Sequence, residues 1–248
     1  MSADADWNPN WWRELKEQSL ERKARQAAQA CAEPGDSFLV VTEGTVTEPG
    51  YFELLLGELE LSRVWIKVVP GDHSDPRHVI RTADRIALEQ QRKAEKKQLG
   101  VGEPEDFDHV WAVIDTDVAV RNGIWNDVRQ LAAARQVTLA HSTPCFEFWL
   151  LLHLVGFTTR ADLVDGDAAK SAVKHALGRD YSTNEETTKK AIASFISKWP
   201  EAVGHAEQVR RHHQAAATPQ PGNPSTEVDL LVRAMNDSAP EHLRKLQP

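Results

Sequence analysis

The sequence predicts an α/β fold: about four parallel strands flanked by helices, followed by a helical C-terminal half. Two observations carry this. Short apolar runs rich in β-branched residues alternate with segments of helical periodicity through the middle of the chain, the pattern of a parallel sheet covered by helices. The runs are apolar at successive positions, as in strands buried on both faces. The chain has 248 residues, is 41% hydrophobic and 27% charged, and carries a net charge of −8. That length supports a sizeable core without a disulfide or metal staple, and the composition excludes wholesale disorder and a collagen-like fibre.

Taken in order, residues 1–36 form an N-terminal helical arm. Trp7, Trp11 and Trp12 precede a charged, Ala/Gln-rich stretch that stops at Pro34-Gly35-Asp36. A solvated helix or a partner-docking arm fits that pattern. Residues 38–42 read as a buried strand, 49–61 as a helix, and 64–69 as a second strand. Asp75 caps the next helix with Pro76 just inside it, and the helical pattern lasts to about Leu99. Residues 110–114 are a third strand, 124–135 a helix, 137–140 a fourth strand, and 144–154 a helix opened by Pro144. From about residue 160 the pattern is helical only, with candidates at 167–177, 185–199, 200–217 and 226–236. The organisation is thus an arm (1–36), a core (37–160) and a helical C-terminal region (161–248).

Neither a signal pattern nor a membrane-length apolar run is present, and two cysteines are too few for a disulfide framework. A cytoplasmic setting is the expectation. The acidic balance argues against a protein that coats nucleic acid, so phosphate binding would be local.

Ligands of open α/β sheets bind beyond the carboxyl ends of the strands. Thr42-Glu43-Gly44 follows the first strand, Asp115-Thr116-Asp117 the third, and His141-Ser142-Thr143-Pro144-Cys145-Phe146-Glu147 the fourth. Carboxylates from three segments therefore meet on one edge, where mutual repulsion would raise their pKa values. A hard divalent cation with oxygen preference relieves that repulsion. Alternate strand residues face the same way, so Asp115 and Asp117 are expected to face one metal. Gly44 lets backbone approach a phosphate. Each feature alone has an ordinary reading as a cap or a turn; the combination points to a metal site.

His73, Ser74 and Arg77 follow the second strand and are candidate phosphate contacts. Lys189-Lys190 and Arg210-Arg211-His212-His213 are the basic clusters of the helical half, either solvated faces or a phosphate track. His153 reads as a core histidine, and Cys145 as a packing residue.

These residues resemble the RloB family, which has a Toprim-like core. The matching stretches are Val40-Val41-Thr42-Glu43-Gly44 with Thr47-Glu48-Pro49-Gly50-Tyr51-Phe52, Val69-Pro70-Gly71 with Ser74-Asp75-Pro76, and Val110-Trp111-Ala112-Val113-Ile114-Asp115-Thr116-Asp117. Asn223-Pro224-Ser225-Thr226 also matches. The most specific stretch is Thr143-Pro144-Cys145-Phe146-Glu147-Phe148-Trp149-Leu150-Leu151-Leu152-His153. The resemblance implies Mg²⁺- or Mn²⁺-dependent phosphodiester chemistry on DNA or RNA. Glu43 would act as general acid or base, with Asp115 and Asp117 as metal ligands. Glu147 would complete the catalytic and metal-binding set, which includes Glu43. By position and charge, independently of the resemblance, His73, Ser74, Arg77, Lys189 and Lys190 are the candidate substrate contacts.

The resemblance further implies an anti-phage effector working with an RloA-like ATPase partner. Strand passage would need a tyrosine nucleophile, and Tyr51 and Tyr181 are the only tyrosines, so hydrolysis is favoured. The alternatives are a non-catalytic subunit of the ATPase complex, and a primase-like nucleotidyl transferase, for which the chain lacks a Gly-rich triphosphate loop.

Overall fold

The computed structural model describes residues 36–61, 75–100, 103–178 and 184–246, and residues 64–68 by their main chain. The N-terminal arm, His73, Ser74 and Tyr181 lie outside the described residues.

The strands are β1 (Phe38–Thr42), β2 (Val64–Val68), β3 (His109–Asp115), β4 (Thr138–Thr143) and β5 (Ser225–Thr226). Their order is β2-β1-β3-β4-β5. The first four run parallel, and β5 is antiparallel to β4. The chain leaves β1 toward β2 on one side and returns to β3 on the other, so a topological switch point lies between the carboxyl ends of β1 and β3.

Helix α1 (Thr47–Leu59) links β1 to β2, and α2 (Pro76–Glu95) links β2 to β3. The α2 start is built as its sequence demands: the Asp75 carboxylate accepts from the Arg77 N–H, and Pro76 opens the helix. The short α3 (Asp117–Arg121) and α4 (Trp125–Ala134) link β3 to β4. Then follow α5 (Glu147–Val155), α6 (Gly166–Leu177), α7 (Glu185–Ala193), α8 (Trp199–Ala215) and α9 (Val228–Ser238).

Strand alternation sorts the core into two layers. Leu39, Val41, Ala112 and Ile114 pack with Val79 and Ile80 of α2 and with Trp125 and Val128 of α4. Phe38, Val40, Trp111 and Val113 pack on the opposite face with Tyr51, Phe52, Trp149, Trp199 and Val232. The helices that follow β4 thus share their hydrophobic cluster with the sheet. Burying these side chains supplies about 2 kcal/mol each relative to exposure. Among the described residues no helix is long and apolar enough to cross a membrane.

Four expectations are corrected. The fourth strand does not stop at Ala140 but continues through His141, Ser142 and Thr143, all buried. These polar residues fit a buried strand because the hydroxyls pair: Ser142 Oγ lies 2.8 Å from Thr226 Oγ1, and Thr143 Oγ1 lies 2.6 Å from Thr116 Oγ1. The following helix accordingly begins at Glu147 rather than Pro144. The C-terminal half is also not helical only, since Ser225 and Thr226 pair with Thr143 and Ser142 as β5. The stretch expected as one helix over 185–199 is α7 followed by a 3₁₀ turn at Ile196–Lys198.

A buried ion pair ties α8 to the segment carrying β5 and α9, beside a more exposed one between Glu207 and Arg233. Arg210 binds the fully buried Asp229 through both guanidinium nitrogens, the longer contact being 2.7 Å, and its Nη1 also donates to the Thr226 carbonyl. Asp229→Ala strands the guanidinium in a half-buried site. Urea unfolding is expected to show a loss of about 3 kcal/mol; a loss below about 1 kcal/mol would mean the pair is dispensable.

Candidate functional site

Four carboxyl groups meet at the switch point. Glu43 follows β1, and its N–H extends the ladder by donating to the Val113 carbonyl. Its Oε2 receives the Asp115 N–H at 3.4 Å. Asp115 ends β3, and its Oδ1 accepts the Phe146 N–H at 2.9 Å. Glu147, 5% exposed, opens α5 one residue further on. Glu48, 6% exposed, sits in the first turn of α1 and accepts the Gly44 N–H at 3.2 Å.

The hydrogen bonds to Glu43, Glu48 and Asp115 all come from main-chain N–H groups. These fix the carboxylates without neutralising them. Glu43 is pushed up to about 7, by burial first and then by the charges of Asp117 and Asp75, against the Asp115 N–H. Glu48 is pushed up to about 7, by burial first, then by Glu147 and Glu43. Asp115 is held well above the ordinary aspartate range by burial, then by Glu48, Glu147 and Glu43. This is mutual repulsion in a partly desolvated place.

Glu48 was not singled out from sequence. Its position, an acid in a helix first turn, has an ordinary reading as a partner for the helix dipole. The available signal was Gly44. A Cβ there would lie 2.1 Å from the Glu48 carboxylate, so glycine makes room for that side chain. Lys170 of α6 was also missed. Burial opposes its charge, but Glu147, Cys145 and Asp115 more than offset that and raise its pKa.

Asp117 does not share the Asp115 face in the way strand alternation predicts. The strand ends at Asp115, Thr116 takes helical angles while its N–H donates to the Ser142 carbonyl, and Asp117 starts α3. Its carboxylate accepts the Val118 N–H and pairs with Arg121 at 3.0 Å. It still lies near enough to raise Glu43, so it stands at the rim of the cluster.

Arg77 is on the same edge, bound to Asp75 by a 2.8 Å ion pair. Lys189 and Lys190 lie on α7, where Lys189 pairs with Glu53 and Glu185, and Lys190 with Glu186. These contacts hold them on the flank of α1 and α7. In the other basic cluster, Arg210 turns inward to Asp229 and Arg211 pairs with Glu207.

Cys145 is buried, and burial, followed by Glu147 and Asp115, pushes its thiol up, which suppresses the nucleophilic thiolate. His153 is a core residue: its Nδ1 donates to the Trp149 carbonyl at 3.0 Å. Its Nε2 therefore accepts from the Tyr51 hydroxyl, 3.2 Å away. Burial lowers His153 to about 3, so it stays neutral.

Among the described residues no three His, Cys, Asp or Glu side chains form a ready-made metal shell. The donor chemistry nevertheless fits a hard cation: crowded carboxylate oxygens, held by neutral donors, with charge to be relieved.

A parallel sheet with an acid-rich switch point defines the class of the molecule, and sequence comparison then supplies the family. The RloB-like protein family model matches residues 38–235, so the chain belongs to the RloB-like family. No curated protein and no solved structure matches it.

The raised carboxyl groups give a pH signature. Folding raises their pKa values, so between about pH 4.5 and 7 the native state keeps protons that the unfolded chain releases. Stability contributed by these groups is therefore lost as pH rises through that window. In metal-free protein, Glu48→Gln is expected to raise Tm at pH 8 by about 3 °C or more and to change it little at pH 4, measured by calorimetry. A Tm lowered at pH 8 would show that the Glu48 charge is stabilised rather than crowded.

Proposed function

We propose that this chain is a metal-dependent nuclease with a Toprim-like core, hydrolysing phosphodiester bonds in DNA or RNA. It would serve as the effector of a prokaryotic anti-phage system in the cytoplasm, working with an RloA-like ATPase. The observation that carries the reading is the meeting of Glu43, Glu48, Asp115 and Glu147 at the switch point, where Glu48, Asp115 and their carboxylate neighbours crowd one another. The strand order, with Glu43 after β1 and Asp115 ending β3, supports the Toprim-like reading.

In this reading Glu48, Asp115 and Glu147, with Glu43 and with Asp117 at the rim, would hold one or two Mg²⁺ or Mn²⁺ ions. Such an ion, when bound, neutralises phosphate charge and acidifies water. The chain's own part is positional and protonic. The Phe146 and Gly44 N–H groups aim one oxygen each of Asp115 and Glu48, leaving the other oxygens for the cation. Glu43, poised near neutrality, takes a proton from the attacking water or returns one to the leaving oxygen. Lys170 and Arg77 lie on the same edge to meet substrate phosphates. Lys189 and Lys190 are assigned no part at the reacting bond, being engaged by Glu53, Glu185 and Glu186.

The test is cleavage of end-labelled tRNA, single-stranded DNA and duplex DNA with Mg²⁺ or Mn²⁺, with and without the ATPase partner. Wild type should cut at least one substrate. Glu43→Gln and Asp115→Asn should each lower the rate by about 100-fold or more, and Lys190→Ala should leave it unchanged. Cleavage by Asp115→Asn at the wild-type rate, or no cleavage under any of these conditions, would overturn the proposal.

A further inference from the structure

The last strand of the sheet covers only part of its neighbour. β5 pairs with Ser142 and Thr143, and the Glu227 N–H then takes the His141 carbonyl at 2.8 Å. Beyond that point the chain turns away into α9. In an extended strand, main-chain groups of alternate residues point to the same side. The His141 carbonyl points outward to Glu227, and the Ser142 carbonyl points inward to Thr116. Leu139, two residues before His141, therefore aims its N–H and C=O outward. Among the described residues nothing pairs with them.

A cleft of about 620 Å³ runs along this stretch. Val137, Thr138, Leu139 and His141 contribute to it, and Ala140, whose side chain belongs to the opposite core layer, does not. Helix α4 supplies one wall with Trp125, Arg129 and Ala133, and α8 supplies the other with Arg210 and Gln214. Most of its charges are spent internally. Arg210 is bound to Asp229, and His141 Nδ1 lies 3.2 Å from Glu227 Oε2. Arg129 is exposed; it makes no hydrogen bond or ion pair among the described residues, and its charge reaches Glu227 only through space.

We infer that this cleft receives an extended peptide segment, which continues the sheet by pairing with β4 at Leu139 and places a carboxylate against Arg129. Unpaired edge groups are a template for strand addition, and main-chain hydrogen bonds give such complexes their affinity while alternate side chains give specificity. The edge lies recessed between two helices, so a lone segment fits where the edge of a second copy, carrying its own helices, would not. Ala133, Leu139 and Leu230 offer the apolar shelf for the alternate side chain. The site lies along the open edge of β4 and is independent of the nuclease reading.

The probe is a phage-displayed library of short linear peptides selected against the full chain. Enriched peptides are expected to alternate apolar and acidic residues, and to protect the Leu139 amide from hydrogen exchange. Leu139→Pro removes the edge N–H without touching the β3 ladder and should weaken binding about 10-fold. Arg129→Glu should reverse the preference for acidic residues. N-methylating the peptide amide that faces Leu139 should weaken binding about 10-fold in the unaltered protein, so the result does not depend on the proline variant folding. No enrichment, or enriched peptides that bind equally well when N-methylated and leave Leu139 unprotected, would overturn the inference.

Discussion

The hydrogen bond from the Phe146 N–H to the Asp115 carboxylate joins the end of β3 to the turn that starts α5. It fixes the aim of the aspartate. It also places Glu147, the next residue, inside the same acidic cluster. The apolar run that follows, Phe148 to Leu152, is wholly buried and anchors the turn to the core. A rigid apolar helix thus holds two negative groups close together in a place that penalises charge. The same logic operates at β1, where the Gly44 N–H positions Glu48 and the Asp115 N–H reaches Glu43.

The arrangement costs stability at neutral pH, since raised carboxyl pKa values mean that ionisation opposes folding. Functional sites are where such costs are tolerated. The rest of the molecule is conventional by contrast. Several of its basic residues are paired, as Arg210 with Asp229 and Lys189 with Glu53 illustrate. The buried His153 is neutral and hydrogen-bonded at both nitrogens.

Much of this was legible in the residues. The strands at Phe38–Thr42 and His109–Asp115 are marked by unbroken apolar runs, and Asp75-Pro76 marks the start of α2 by cap chemistry. Glu43 and Asp115 were legible because they follow or end such elements, and Glu147 because it opens the apolar helix after the fourth strand. What escaped had a physical reason. The polar end of β4 hides its strand character because hydroxyl pairs, formed only in the fold, satisfy it. A two-residue strand such as β5 has no periodicity to detect. Asp117 misled because its spacing from Asp115 is that of a strand, while the chain has already turned helical at Thr116. Glu48 and Lys170 look like ordinary helix residues until the fold places them beside Asp115 and Glu147.

The central claim is that these carboxyl groups share a charge that a divalent cation relieves. Calorimetric titration of the purified chain with Mg²⁺ at pH 7, repeated in buffers of different ionisation enthalpy, tests it most directly. Groups raised to about 7 are partly protonated there, so binding should expel protons. The account predicts saturable binding with about one proton released per chain, reduced in Glu48→Gln. Binding without proton release, or no binding at all, would contradict it.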